Sequence, residues 1–339
     1  MKSILVGSEG FEVVELEVPR PGPGEVLVRM LACGLCGTDV EKLEGRYRGS
    51  KPVIGHEAAG TIEAVAEDVS GLEPGELVVP HHHVNCGHCY YCLKDSPTMC
   101  PYYREYNFKP GGFSEYFIVP RWIVERGGIH KPPPGTSPIQ ACLTEPTACV
   151  LRAVKRITAK DPESYAVVGL GAVGLTFIQV LRWMGAAQVI GIDINPARLA
   201  AAQRYKAEAL NSTEGDVVEA VKSVTDGRGV DVAVVAAGPP QALSTAIRLT
   251  RRGGQVLLFA VPPHGSTLPH DISDLLVREV SIISSNAATD QEMREALDLI
   301  SRKVVDAEGM VTHRYRIEEF GEALRTFKAG TGLKVVITP

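Results

Sequence analysis

A chain of 339 residues is long enough for about two domains, each burying its own core. With 45% hydrophobic and 22% charged residues, its composition is that of an ordinary globular protein. A net charge of −5 provides no basic face, and no run nears 18 apolar residues, so neither nucleic acid nor membrane is an expected partner. The N-terminus, MKSILVGSEGFEVVE, turns acidic before a signal-peptide core can form, which makes the cytoplasm the default location. Eight cysteines without a secretory signal argue for thiols or metal rather than disulfides.

Residues 1–80 read as short strands between turns: Ser3–Val6, Phe11–Val18, Glu25–Cys33, Val53–Ala66 and Glu76–Val79. Alternation with Pro/Gly punctuation at this spacing indicates a β-rich, barrel-like domain. Within it Cys36 sits in CGLCGTD, and His56 and Glu57 in GHE; farther on, Glu145 sits in LTEPTAC. Thiolate, imidazole and carboxylate from separated loops suit a catalytic zinc, which takes three protein ligands and keeps a fourth place for water or substrate. Thr38, two residues past Cys36, puts a hydroxyl where it can pass on the proton of a bound alcohol. Cys33, Cys142 and Cys149 read as small core residues.

The segment Cys86-GH-Cys89-YY-Cys92-LKDSPTM-Cys100 has the spacing C-x2-C-x2-C-x7-C. Four thiolates on one loop can close a tetrahedral shell around zinc, leaving no place for substrate, as a structural site requires. An iron–sulfur cluster or plain buried thiols are the competing readings. Zinc is preferred because a metal orders a loop too long to order itself. His88 inside this lobe, and His81–His83 just before it, are read as strand end and solvent.

From about residue 146 to 285 the texture changes to apolar runs alternating with helical stretches. Ala166–Val168 is a strand-like run that meets Gly169-x-Gly171-x-x-Gly174, followed by a helix from Ala172 and Val173 to about Met184. The run Val189–Ile192 then delivers Asp193, 19 residues past the last glycine. Gly169 permits the tight turn, Gly171 lets backbone approach a pyrophosphate, and Gly174 lets helix and strand pack closely. The pyrophosphate then lies on free N–H groups at the positive end of the helix. Asp193 can accept both ribose hydroxyls and would repel a 2′-phosphate, so NAD is expected over NADP; for Arg198, a coenzyme-binding candidate, the readings are a swing to a 2′-phosphate, a place beside the adenine, or solvent. VDVAVVAA and GQVLLFAV show no alternation, as parallel strands covered on both faces require. The tail carries helices at Gln291–Lys303 and Ile317–Lys328 and a strand, Lys334–Thr338, that is returned to the first domain.

These residues, with GEVLVRMLACGLCGTD, GHEAAGTIEAVA, GGFSEYFIVP and LTEP, resemble the medium-chain, zinc-dependent alcohol and polyol dehydrogenases along the full length. The resemblance implies an α/β protein: a chaperonin-10 (GroES)-like catalytic domain at 1–145, a doubly wound Rossmann domain at 146–285, and 286–339 back in the catalytic domain. It implies two zinc ions per chain. The structural one lies on Cys86, Cys89, Cys92 and Cys100; the catalytic one lies on Cys36, His56 and Glu145, with Glu57 as an exchangeable fourth ligand. A homodimer or homotetramer is expected. Glu145 in the EP motif is similar to the polyol and threonine branch, where simple alcohol dehydrogenases tend to have cysteine.

The resemblance has two departures. Glu41 stands where polyol and threonine enzymes often have histidine, and only 19 residues separate Cys36 from His56. That short stretch holds Arg46, Tyr47 and Arg48, which with Tyr102–Asn107 would make a pocket rich in donors. The expected reaction is reversible oxidation of a secondary alcohol by NAD, with zinc as Lewis acid and Thr38 relaying the proton. A polyol, sugar or cyclitol is the favoured substrate, ahead of threonine, a phosphorylated polyol and simple secondary alcohols. A zinc-stapled NAD sensor is the rival from another class, and Cys36, His56, Glu57 and Glu145 speak against it, since a sensor needs only the closed zinc.

Overall fold

Alternating apolar residues and closely spaced turns build the N-terminal strands of the chain, seen in a computed structural model that describes residues 1–7, 10–46 and 53–339. Strands β1 (Lys2–Gly7) and β2 (Gly10–Glu15) pair antiparallel. After them come β3 (Val26–Gly34), helix α1 (Gly37–Leu43), β4 (Glu57–Val65), β5 (Leu77–Pro80), β6 (Tyr116–Val119) and β7 (Ile129–His130). Helix α2 (Thr144–Lys155) follows. The parallel part runs β8 (Ser164–Val168), α3 (Ala172–Trp183), β9 (Gln188–Asp193), α4 (Pro196–Arg204), β10 (Glu208–Asn211), α5 (Val217–Ser223), β11 (Val230–Val235), α6 (Pro240–Leu249), β12 (Thr250–Leu258), α7 (Ile272–Val277) and β13 (Ser281–Ser284). The tail adds α8 (Asp290–Ser301), β14 (Val311–Arg316), α9 (Phe320–Ala329) and β15 (Lys334–Thr338).

The chain divides into two units, Met1–Ala148 with Ala287–Pro339, and Cys149–Asn286. In the first, the sheet order is β14-β15-β3-β4-β5-β7, with β6 also paired to β3. The terminal strand is antiparallel to β3, with Val336 opposite Gly34 and Ile337 opposite Cys33. Val28, Met30, Phe113, Phe117, Phe320 and Val335 are among the buried side chains of this core.

The second unit has six parallel strands in the order β10-β9-β8-β11-β12-β13. The order reverses between β8 and β11, so the loop after β8 opens at the point where doubly wound sheets bind ligands. Its core joins Ala166, Val168, Ile190, Val235 and Val256 of the strands to Ile247 of α6, and the unbroken apolar runs of these strands are those of strands covered on both faces. Strands β6, β7, β10, β13 and β14 escape the sequence reading. Four of them have two to four residues, and β14 alternates half-buried and exposed residues over six positions but has only one aliphatic residue, Val311, to show it. No helix among the described residues is long and apolar enough to cross a membrane.

Candidate functional site

At the end of β3 the chain turns through Leu35 into α1, with Cys36 as the residue that caps the helix. Asp39, fully buried, holds this turn. Its Oδ2 accepts from Cys36 N at 3.1 Å, and its Oδ1 accepts from Gly55 N at 3.0 Å and lies 3.1 Å from His56 Nδ1. One carboxylate therefore fixes the thiol loop, the GHE loop and the tilt of the His56 ring, and leaves Nε2 as the ring nitrogen that Asp39 does not engage. A Cys36 sulfur, a His56 nitrogen and a Glu57 oxygen lie within 4.8 Å of one another. Burial opposes protonation of His56, yet Asp39 and Cys36 raise its pKa well above the ordinary histidine value. The S, N and O donors of this cluster suit zinc.

Glu57 is turned toward Lys334, a buried lysine of β15 whose ammonium pairs with its Oε2 and donates to Leu35 O at 3.1 Å. Burial pushes the Glu57 carboxyl up, and Lys334 opposes that rise. Gly34 makes room for the pair, because a Cβ there would overlap Glu57 Oε2. Glu145, buried on the first turn of α2, is not one of the three mutually close donors, although its charge reaches Glu57. The clustered set is thus Cys36, His56 and Glu57, where the sequence reading puts Glu145 ahead of Glu57. The reason is connectivity: Glu57 follows His56 directly, whereas Glu145 arrives on a separate helix. Thr38, half-buried on α1, has no partner for its hydroxyl among the described residues.

Of the residues expected at the donor-rich rim, Arg46 is exposed and paired with Glu41 and Glu44 of its own helix end, and Tyr47 and Arg48 lie outside the described residues. Tyr106 stacks on Trp122 at 4.7 Å and Tyr102 leans on the same ring, so Trp122 anchors both tyrosine rings. Tyr103 is the buried member, donating to Ala288 O.

The histidines before the lobe correct the sequence reading. His81, His82 and His83 are buried, not in solvent. Asp290 Oδ1 lies 3.0 Å from both His81 Nδ1 and His130 Nε2, which secures the strand ends. Burial alone would raise the Asp290 carboxyl, but the two imidazoles hold it far below the usual carboxylate range. The His82 ring lies 3.8 Å from His83 and 5.1 Å from His56, centroid to centroid. Burial pushes the pKa of both His82 and His83 well below the ordinary value. Three consecutive imidazoles at a strand end were the available signal. Their partner Asp290 is too distant in sequence to have disclosed the burial. His88 is exposed, as expected.

The four lobe sulfurs also lie within 4.8 Å of one another. Cys86 Sγ is 3.9 Å and Cys89 Sγ 3.5 Å from Cys92 Sγ, near the roughly 3.8 Å edge of a tetrahedron with zinc–sulfur bonds of about 2.3 Å. Despite desolvation, N–H donors including Cys89 N bring the Cys86 thiol down to about 6, while burial pushes Cys100 up to about 12. Metal would have to draw the Cys100 proton off, and the spacing fits such a shell.

In the second unit Gly169 adopts φ +97°, a conformation that side chains resist, and a Cβ on Gly174 would overlap the Gly169 carbonyl oxygen. Gly171 has nothing within 4 Å of its would-be Cβ among the described residues, so no protein atom there demands glycine. Ala172 and Val173 begin α3 just beyond it. Asp193 is buried, with Oδ2 accepting from Leu170 N at 2.7 Å and Oδ1 from Ile194 N and Asn195 N at 2.7 and 2.9 Å. It therefore braces the glycine loop, a role the sequence does not display. Arg198 Nη1 stands 3.8 Å from Asp193 Oδ2.

Residues 22–127 match the family described as Alcohol dehydrogenase GroES-like domain, and residues 172–302 the one described as Zinc-binding dehydrogenase. A sorbitol dehydrogenase of Halalkalibacterium halodurans is 31% identical over 350 residues, covering 100% of this chain and 99% of the relative. The chain belongs to the medium-chain, zinc-binding alcohol and polyol dehydrogenase family. An L-threonine 3-dehydrogenase of Pyrococcus horikoshii is 32% identical over 96% of this chain and 94% of its own length. A zinc-binding dehydrogenase of Sinorhizobium meliloti 1021, solved with NADP, matches with a TM-score of 0.89 at 28% identity, covering 100% of this chain and 99% of that one. This dehydrogenase is accordingly an oxidoreductase that works with zinc and NAD(P), on a GroES-like part joined to a Rossmann-like part.

Proposed function

We propose that this dehydrogenase oxidises a secondary alcohol carrying neighbouring hydroxyls, in a polyol, sugar or cyclitol, to the ketone with NAD. The convergence of the Cys36, His56 and Glu57 donors carries the reading. Zinc at that site would supply a Lewis acid that makes an alcohol hydroxyl acidic near neutral pH. Cys36, His56 and Glu57, the donors that converge, would hold it, with Glu145, whose charge reaches Glu57, as the further carboxylate that the resemblance implies, and Asp39 keeps the His56 ring in line. The Thr38 hydroxyl would take the alcohol proton and pass it on, and bound NAD would supply the acceptor for the carbinol hydride. The first unit would do the chemistry, and the second, through Gly169, Gly171, Ala172, Val173, Gly174, Asp193 and Arg198, would hold the coenzyme.

The buried imidazoles beside His56 support a substrate with several hydroxyls, since a site built to hydrogen-bond them rejects alcohols that lack them. A substrate screen over sorbitol, xylitol, inositols, threonine, 2,3-butanediol and simple secondary alcohols tests this. Polyhydroxy compounds should have the highest kcat/KM, and a simple alcohol at the top would refute it.

NAD over NADP is supported by the fixed carboxylate of Asp193, which a 2′-phosphate would have to approach. Equal kcat/KM for the two coenzymes would overturn that preference. A homo-oligomer, dimer or tetramer, is supported by β13, which has a sheet neighbour on one side only among the described residues and lies near the exposed Ile272, Leu276 and Val277 of α7. Sedimentation at micromolar protein should show no monomer. Eight free cysteines support a reducing, cytoplasmic setting.

A further inference from the structure

Among the described residues, His82 Nδ1 has no hydrogen-bond partner. The side chain is 5% exposed, and that nitrogen is buried. An unpaired buried nitrogen is expensive, and an apolar ring of the same size would fill the space beside Phe108, whose centroid is 6.3 Å away, without that cost. His81 is the other histidine of the run with an unpaired nitrogen, Nε2, but its ring is pinned through Nδ1 by Asp290. No such bond restrains His82, and its ring lies 5.1 Å from that of His56, a side chain of the zinc-holding set.

We propose that His82 is a specificity contact, whose imidazole hydrogen-bonds a hydroxyl next to the one being oxidised. This rests on the polyol reading above and names the residue that enforces it. A hydroxyl both gives and takes a hydrogen bond, so it satisfies an imidazole nitrogen in either tautomer. A substrate lacking that hydroxyl leaves the nitrogen unpaired and is rejected by the lost contact. The reacting groups are untouched, so the contact acts on which alcohol enters and how it lies.

The test compares 2,3-butanediol with 2-butanol, which differ by the one hydroxyl, in wild type, His82→Phe and His82→Gln. In His82→Phe, kcat/KM for the diol should fall at least about tenfold, mostly through KM, while 2-butanol stays within about threefold, and His82→Gln should recover part of the loss. Two further readouts do not need turnover. Zinc content should be unchanged, and the substrate-free melting temperature of His82→Phe should rise while its further rise on adding 2,3-butanediol with NADH shrinks. Equal loss on both alcohols would make His82 merely structural, and no loss on the diol would mean that water or nothing occupies Nδ1; either overturns the inference. Wild-type preference for 2-butanol would sink the polyol reading itself, whereas a diol preference that survives in His82→Phe sinks the role of His82 alone.

Discussion

Replacing Asp39 by asparagine removes a buried charge while keeping the shape of the side chain, and so isolates what that charge does for the zinc ligands. The carboxylate meets three donors, Cys36 N, Gly55 N and the His56 ring, at 3.0–3.1 Å. An asparagine offers one oxygen and an NH2 group, so whichever way the amide turns, at least one buried N–H loses its acceptor. Each such orphan costs about 1–3 kcal/mol, so a stability loss of about 2 kcal/mol is expected. The larger effect falls on the metal. Loss of the partner that orients a ligating histidine typically weakens metal binding 10–100-fold, or about 1.4–2.7 kcal/mol. Chelator competition measures this, with the four-cysteine zinc of the same chain as an internal reference that should not change. Turnover at limiting zinc should fall in step and recover when zinc is added. A folded Asp39→Asn protein whose weaker zinc is held within about twofold of wild type would refute the reasoning.

Cys100→Ser should remove about one of two zinc ions per chain and lower the melting temperature, because it opens a closed thiolate shell; an unchanged zinc count by elemental analysis would deny the lobe its metal. Asp193→Ala should raise KM for NAD roughly tenfold or more and relax the preference against NADP, since it unpairs Leu170 N in the glycine loop as well as freeing the ribose site. Asp231→Asn should destabilise the protein by roughly 2 kcal/mol at pH 7 in urea unfolding, because the carboxylate takes hydrogen bonds from Glu163 N, Ser164 N, Ser164 Oγ and Arg251 Nε. Burial opposes its charge, yet these donors bring it from 3.8 down to about 2. The advantage of wild type is therefore complete above pH 3.8 and fades as pH falls to about 2, and a difference independent of pH across that window would contradict the assignment.

Local chemistry made much of this protein legible before any coordinates. The glycine pattern ending in Asp193, the four clustered cysteines and the unbroken apolar strands each state their role within a few dozen residues, because turn geometry, ligand spacing and strand coverage are local demands. Lys334 and Asp290 are the opposite case. A lysine five residues from the C-terminus neutralises Glu57, and the first residue of α8 clamps His81 and His130, across 277, 209 and 160 positions of sequence. No periodicity links such pairs, and only the closing of β15 onto β3 and the seating of α8 bring them together. The same holds for the burial of His81–His83, which depends on what packs over a strand end. Sequence alone therefore determined the reaction type and the two metal-binding chemistries. Tertiary structure decided which charges stand next to each ligand, because an ion pair or an unpaired nitrogen is defined by what lies within a few ångströms, and distance along the chain does not encode that.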